Sequence, residues 1–255
     1  MYIDPQKCNG CSICIPYCPA GAISLVEAPG SKRGRVAVVD QEACLECGNC
    51  IHRGVVKCPT SAFSEDPGIW DTARAIRRFF SDPMVKHPVT SVPGRGTEEV
   101  KTNDVTGRVK RGEVGIGIEM GRPCLGTSFA EVEKVTRALA PLGIAFEECN
   151  PLTHLMDDRT RGTFPPEVKA QRVISAIIEF TAPAALLPDI LRVLREVAPT
   201  LETVFSLDLI SCFEPDGSLP VLSVLRELGI EPRPNAKVNL GMGRPRAVDK
   251  EVAAS

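Results

Sequence analysis

The sequence predicts an α+β protein with two structured parts, a small cysteine-rich domain at the N-terminus and a larger sandwich at the C-terminus. Two observations lead to this prediction. Eight of the eleven cysteines lie within the first 58 residues, in two tight groups. From residue 114 onward, segments with strand-like apolar patterning alternate with segments of helical periodicity. A chain of 255 residues is also long enough for two modest domains.

Composition restricts the location, cofactors and partners that we expect for this protein. No apolar run reaches the roughly 20 residues that cross a bilayer, so we expect no membrane span. Residues 1–10 lack the basic and apolar regions of a secretory signal, so we expect a cytoplasmic protein. Thiols stay reduced in that compartment, and so many cysteines therefore indicate metal rather than disulfides. A formal net charge of −2 argues against nucleic acid as a partner.

The two cysteine groups have the spacings C-x2-C-x2-C-x3-C and C-x2-C-x2-C-x7-C, each followed by proline. Three thiolates at such intervals reach different irons of one cubane, and the fourth cysteine of each group reaches the other cluster. The sequence therefore predicts two [4Fe–4S] clusters. Cluster I is assigned to Cys8, Cys11, Cys14 and Cys58, and cluster II to Cys44, Cys47, Cys50 and Cys18.

Two alternatives remain at this point. Zinc binds C-x2-C pairs, but it takes four ligands and has no use for three cysteines at these intervals, twice over. The second group has seven residues before its last cysteine instead of three, in a turn that contains His52, Arg53 and Lys57. Cys58 is consequently the ligand that the pattern fixes least, and a three-iron cluster I is the alternative.

The two groups are halves of an internal duplication, because similar residues follow each Cys-Pro pair. Segments 20–23 and 60–63 occupy matching positions, and we expect a short helical turn in each. Between the halves, residues 36–40 are predicted to form a strand. We therefore place a dicluster [4Fe–4S] domain at residues 1–64.

Residues 65–112 are predicted to contain a helix and a linker or interface loop. The helix begins near Asp66-Pro67 and has one apolar face, on which Trp70 is expected to dock against the cluster domain or a partner. Residues 92–108 are polar and aperiodic, which favours a solvated linker or an interface loop.

Residues 113–255 are predicted to form an α/β sandwich with a C-terminal extension. The predicted strands are 114–120, 144–149, 173–180 and 204–210. Ser128 and Glu131 form a capping box ahead of the first helix, and Pro188 lies at the second. The order βαββαβ is that of the ferredoxin-like sandwich, which ACT-like domains also use. A third helix, with Ser218 as its cap, and a strand near Val238 extend it.

The tetrapeptide Met-Gly-Arg-Pro occurs twice after predicted strands, with arginines at Arg122 and Arg244. Glycine N–H groups beside an arginine suit an anion, so these residues are a candidate anion site, with Cys124 next to it. Tight turns with a solvated arginine are the alternative. The three histidines, His52, His87 and His154, are scattered along the sequence with no nucleophile or metal to pair with, and we expect them to be surface or packing residues.

The first 64 residues resemble bacterial two-cluster ferredoxins. Together with residues 92–108 and the segment Ile-Glu-Met-Gly-Arg-Pro, the chain also resembles the iron–sulfur part of 6-hydroxynicotinate reductase-like proteins. That resemblance implies low-potential reduction of an electron-poor ring, and only the eight cysteines carry over from it residue by residue. A larger catalytic portion and a flavin motif are missing from this sequence, which favours a separate catalytic subunit.

The sequence therefore predicts an iron–sulfur electron-transfer protein or subunit that passes low-potential electrons to a redox partner or a larger catalytic subunit. One alternative is a reductase that binds its substrate near Arg122, Cys124 and Arg244. Another is a redox-sensing regulator with a small-molecule ligand on the C-terminal domain.

Overall fold

A computed structural model describes residues 1–52, 56–91, 107–122 and 126–232. The N-terminal part contains two antiparallel strand pairs. β1 (Tyr2–Ile3) pairs with β4 (Phe63–Ser64), and β2 (Ile23–Glu27) pairs with β3 (Arg35–Val39).

The two halves of this part are joined by backbone hydrogen bonds. The Asp4 N–H donates to the carbonyl of Ala62 at 2.8 Å, and the Asp40 N–H donates to that of Ala22, also at 2.8 Å. The start of each half is thus bonded to the end of the other. No helical turn follows either Cys-Pro pair. A single turn, closed by the Gly21 N–H on the Cys18 carbonyl and by the Ser61 N–H on the Cys58 carbonyl, leads directly into β2 and β4. The short 3-10 helix of this region, Ile15–Tyr17, precedes Cys18 instead.

The helix predicted near Asp66 is split in two. A 3-10 helix, Pro67–Asp71, begins where the Asp66 carboxylate accepts a hydrogen bond from the Gly68 N–H at 2.9 Å. Thr72 is extended, and α1 (Ala75–Ser81) follows. Trp70 remains 48% exposed, with its ring centroid 5.8 Å from that of Phe79.

The C-terminal part has the element order that the sequence predicts. Its elements are β5 (Glu113–Met120), β6 (Thr127–Ser128), α2 (Phe129–Leu139), β7 (Ala145–Phe146), α3 (Pro166–Lys169), β8 (Arg172–Val173), β9 (Ala176–Pro183), α4 (Leu187–Val197), β10 (Phe205–Ser211) and α5 (Pro220–Glu227). An antiparallel sheet has the strand order β10-β5-β9-β7. β6 and β8 form a separate small pair.

Several local details differ from the prediction. The strand predicted at 173–180 is interrupted, because Val173 pairs with Thr127 in the small pair and β9 starts at Ala176. The Ser128 hydroxyl caps α2 by accepting from the Glu131 N–H at 3.3 Å, but the Glu131 carboxylate bonds the Glu202 N–H instead of capping back. Leu219, not Ser218, precedes α5. The strand predicted near Val238 lies outside the described residues.

The main hydrophobic core lies between the sheet and α2 and α4. Alternate residues of β5, such as Ile116 and Ile118, are fully buried in it. Phe129 of α2 packs edge-on against Phe80 of α1, with ring centroids 5.2 Å apart. α1 is therefore anchored in the C-terminal core. None of the described helices has the length and apolar character needed to span a membrane.

Candidate metal centres

The eight cysteines surround two cavities that open to solvent. One, of about 340 Å³, is lined by Cys8, Cys11, Cys14 and Cys58. The other, of about 410 Å³, is lined by Cys18, Cys44, Cys47 and Cys50. Each cavity combines three cysteines of one group with the last cysteine of the other. This grouping is the one expected for clusters I and II, and the assignment of single ligands stays a prediction.

The same backbone path leads into both cavities. The N–H groups of Cys8 and Cys44 donate to the carbonyls of Asp4 and Asp40, at 2.9 and 3.0 Å. Gly10 and Glu46, at matching positions two residues further on, both have left-handed backbones, with φ of 68° and 55°. A Cβ on Gly10 would lie 2.3 Å from the carbonyl oxygen of Arg35, so only glycine fits there.

Backbone N–H groups point at three of the sulfurs. Ala22 donates to the Cys18 Sγ at 3.2 Å, and Ala62 donates to the Cys58 Sγ at 3.4 Å from the matching position. Ala37 donates to the Cys8 Sγ at 3.3 Å. Such hydrogen bonds stabilise thiolates and also the more negative, reduced state of a cluster.

Burial makes four of these eight thiols, Cys14, Cys44, Cys47 and Cys50, hard to ionise by themselves. It is the largest cause that raises the pKa of Cys50 to about 12, and the negative charges of Cys47 and Cys44 raise it further. The pKa of Cys14 is also raised, chiefly by burial. Thiolates so placed need a positive group beside them, which iron supplies. The donor set therefore fits two iron–sulfur clusters.

Cys58 is the exception among these thiols. Burial alone would raise its pKa, but hydrogen bonds from the Ala62 N–H and the Thr60 hydroxyl lower it below the ordinary value. The ligand that the sequence fixes least is thus the one whose thiolate the fold stabilises directly.

A buried ionic network adjoins the Cys44 loop. The Glu46 carboxylate is 2% exposed and accepts hydrogen bonds from the Arg74 Nη2 at 2.7 Å and the Met1 amino group at 2.9 Å. Burial would raise the pKa of Glu46, but these bonds hold it below the usual value. Arg77, on α1, is 4% exposed and donates to the Cys44 carbonyl at 2.7 Å.

A second buried carboxylate lies on the other side of that loop. Asp82 is fully buried and its Oδ1 is 2.8 Å from the Nε2 of His52, which follows Cys50 by two residues. A Cβ on Gly48 would lie 2.3 Å from that histidine nitrogen, so Gly48 leaves the room for the pair. The sequence alone does not reveal this pairing, because Asp82 lies 30 residues away from His52 and directly after another element, α1.

The other predicted residues are only partly placed. Arg122 is half-buried directly after β5, behind Gly121, whose N–H donates to the Val204 carbonyl. Arg244 and Cys124 lie outside the described residues, so the anion site stays a prediction. His87 is a buried packing residue and His154 is exposed, in agreement with the expectation for the histidines, and their rings lie 6.1 Å apart.

An open cleft of about 940 Å³ separates the Cys44 loop from the C-terminal part. Its N-terminal wall includes Pro19, next to Cys18, and Leu45, next to Cys44. Gly126 and Arg172 form the facing wall. The cleft thus lies beside two cysteines of the second cavity.

Residues 7–62 match the family model of 4Fe-4S dicluster domains. No solved structure matches the chain. The N-terminal segment is therefore a dicluster domain of the bacterial ferredoxin type, and its cofactors are two [4Fe–4S] clusters. The match does not reach the residues behind the resemblance to 6-hydroxynicotinate reductase-like proteins.

Proposed function

We propose that this protein passes single low-potential electrons through its two clusters to a partner oxidoreductase, of which it is an electron-transfer component. The observation that carries the proposal is the pair of four-cysteine cavities, each lined by three cysteines of one group and the last cysteine of the other, within a segment that matches dicluster domains. A [4Fe–4S] cluster supplies one-electron chemistry and no proton or group transfer of its own.

The chain's own residues hold iron, stabilise the added charge, exclude water and leave access for an electron donor. The cysteines hold iron, and the N–H groups of Ala22, Ala37 and Ala62 stabilise the negative charge that arrives with an electron. Apolar side chains such as Ile23 and Val56 exclude water from the cavities. Ile13 and Tyr17 line the two cavities and are nearly half exposed, which gives an electron donor close access.

The remainder of the chain then has a docking and positioning role. We propose that residues 1–64 are the cluster domain, that 65–112 connect it, and that 113–255 are a ferredoxin-like, ACT-like sandwich. The antiparallel strand order β10-β5-β9-β7 and the packing of α2 on α4 support this fold. The cleft beside Leu45 offers the partner a path to cluster II.

The test is anaerobic reconstitution followed by redox titration. We expect about eight irons per chain, two one-electron reductions, and reoxidation of the reduced protein by a one-electron acceptor. Cys149→Ser is the matched control, because Cys149 is exposed and lies outside both cavities, and it should leave the iron content unchanged. Four irons or fewer in the wild type would contradict the proposal. Oxidation of the reduced chain by an electron-poor ring compound alone would favour the reductase alternative.

A further inference from the structure

We infer that Arg77, supported by Arg74, raises the reduction potential of cluster II above that of cluster I, so that electrons collect at cluster II. The inference rests on the proposed function, since it needs both clusters. It assigns the two clusters different places in the transfer, with cluster I as the entry and cluster II as the exit.

Arg77 is held rigidly against the Cys44 loop. Its Nη1 donates to three backbone carbonyls of that loop. Those of Gln41 and Glu42 lie at 3.1 Å each, and that of Cys44 lies at 2.7 Å. Its Nε donates to the Gln171 side chain at 2.9 Å. The guanidinium is therefore fixed against the main chain of Cys44, whose side chain lines the second cavity.

The charge of Arg77 is buried, so solvent screens it only weakly from its neighbours. Burial lowers its pKa, as does the positive charge of Arg74, whereas the Cys44 thiolate is among the groups that raise it. A buried charge is screened far less than an exposed one, so it interacts strongly with a neighbouring group. Reduction makes a cluster more negative, and a fixed cation beside it therefore favours the reduced state.

Arg74 offsets the charge of Glu46, the carboxylate of this loop that is buried. Glu46 lies between Cys44 and Cys47 and would by itself disfavour reduction. Arg74 binds it through Nε at 2.9 Å and Nη2 at 2.7 Å, and the same guanidinium donates to the Gln41 carbonyl at 2.6 Å. The second buried carboxylate, Asp82, is paired with Arg78 and faces His52.

Cluster I has a different surrounding in the matching half. Gly10 occupies the position of Glu46 and has no side chain to attract a cation. Arg35, whose carbonyl approaches Gly10, is exposed, and the charge of an exposed guanidinium is weakened by solvent. Among the residues that the structure describes, a buried cation, Arg77, thus adjoins one half of the duplicated domain and not the other.

The test is potentiometric titration of the reconstituted holoprotein, followed by electron paramagnetic resonance. The wild type should show two reduction waves. In Arg77→Gln we expect the higher wave to fall by about 59 mV, which is a tenfold lower ratio of reduced to oxidised cluster II at fixed potential, with the lower wave unmoved. Glu46→Gln should move the same wave upward. Opposite signs from two substitutions in one network separate an effect of charge from general loosening.

Three further variants keep the test decisive. Arg74→Gln should move the higher wave downward, and Arg77→Lys, which keeps the charge, should stay close to wild type. Arg35→Gln removes an exposed charge from the other half and should move neither wave. Full iron content with no shift in Arg77→Gln and Arg74→Gln would overturn the inference and leave the proposed function standing, as would a shift of the lower wave instead. A wild type that binds no clusters would overturn the proposed function itself.

Discussion

The two parts of this molecule are stabilised by different means. The C-terminal part buries large side chains between its sheet and helices, including Phe129, Phe164 and Ile116, each at most 1% exposed. The separate buried cluster of the N-terminal part consists of Cys14, Ile23, Ala37 and Val56. Burial of a large apolar side chain contributes about 1.5–3 kcal/mol, so the first core is sufficient by itself and the second is not. We infer that metal binding supplies the difference in the N-terminal part.

Removal of iron should produce the largest difference in stability between the two parts. We expect chelation of the holoprotein under reducing conditions to unfold residues 1–64, whereas the sheet from β5 to β10 keeps its structure. Amide hydrogen exchange measures both parts in one sample. Protected amides at β2 and β3 in the iron-free protein would show that apolar packing alone holds the N-terminal part.

Loss of a single ligand should have the next largest effect. Cys18 belongs to the first cysteine group but lines the cavity of the second, so Cys18→Ala should damage cluster II and leave cluster I. Cys14→Ala should do the reverse. Iron content and the paramagnetic signals of the reduced protein distinguish the two variants. Loss of the same cluster in both would contradict the exchange of fourth ligands.

A cavity made in the larger core should lower the stability of the C-terminal part only. Phe129 contacts Phe80 and Phe164 edge-on and is fully buried, so Phe129→Ala should lower the free energy of unfolding of the C-terminal part by about 3–5 kcal/mol. Leu222→Ala, at a position 41% exposed, is the control and should cost far less. Chemical denaturation followed by circular dichroism measures the change. An equal loss of the visible absorption of the clusters at the same denaturant concentration would show that the two parts unfold as one.

Short-range patterns predicted much of this structure. Cysteine spacing indicated the two groups of ligands, because the geometry of a cubane restricts the loop around it. The element order of the C-terminal part followed from apolar periodicity and the Ser128 cap, both of which are local. The alternation in β5 is likewise visible in the sequence.

The features that sequence reasoning missed all depend on contacts between distant residues. The Ala22 and Ala62 carbonyls, each directly before a strand, accept hydrogen bonds from the Asp40 and Asp4 N–H groups, which no window around either alanine contains. The Arg77 contacts join residues 33 to 94 positions apart. From the sequence alone, an arginine in a short helix is expected to be a surface residue. Most acceptors of the buried Arg77 are backbone carbonyls, which carry no sequence signal.

The smallest effect concerns the segment that joins the two parts. His87 is 4% exposed, and its ring lies 5.5 Å from that of Phe79 and 6.1 Å from that of His154. Burial lowers the pKa of His87, and the charge of His154 lowers it further. The unfolded chain therefore binds a proton at His87 at a higher pH than the folded chain does. This contribution to stability is present above the unfolded pKa, near 6.5, and is lost as the pH falls towards the folded pKa.

We expect His87→Phe to reduce the fall in unfolding free energy as the pH drops below about 6.5, where a histidine of lowered pKa titrates. His154→Gln removes the neighbouring charge, so it should reduce the same fall by a smaller amount. Trp70 is the only tryptophan and its ring is 5.8 Å from that of Phe79, so its fluorescence reports unfolding of this segment. The holoprotein is used throughout, and His52 is retained in every variant, so that only the histidines at 87 and 154 differ in the comparison. A pH profile in His87→Phe identical to that of the wild type would show that burial of His87 does not couple this segment to pH.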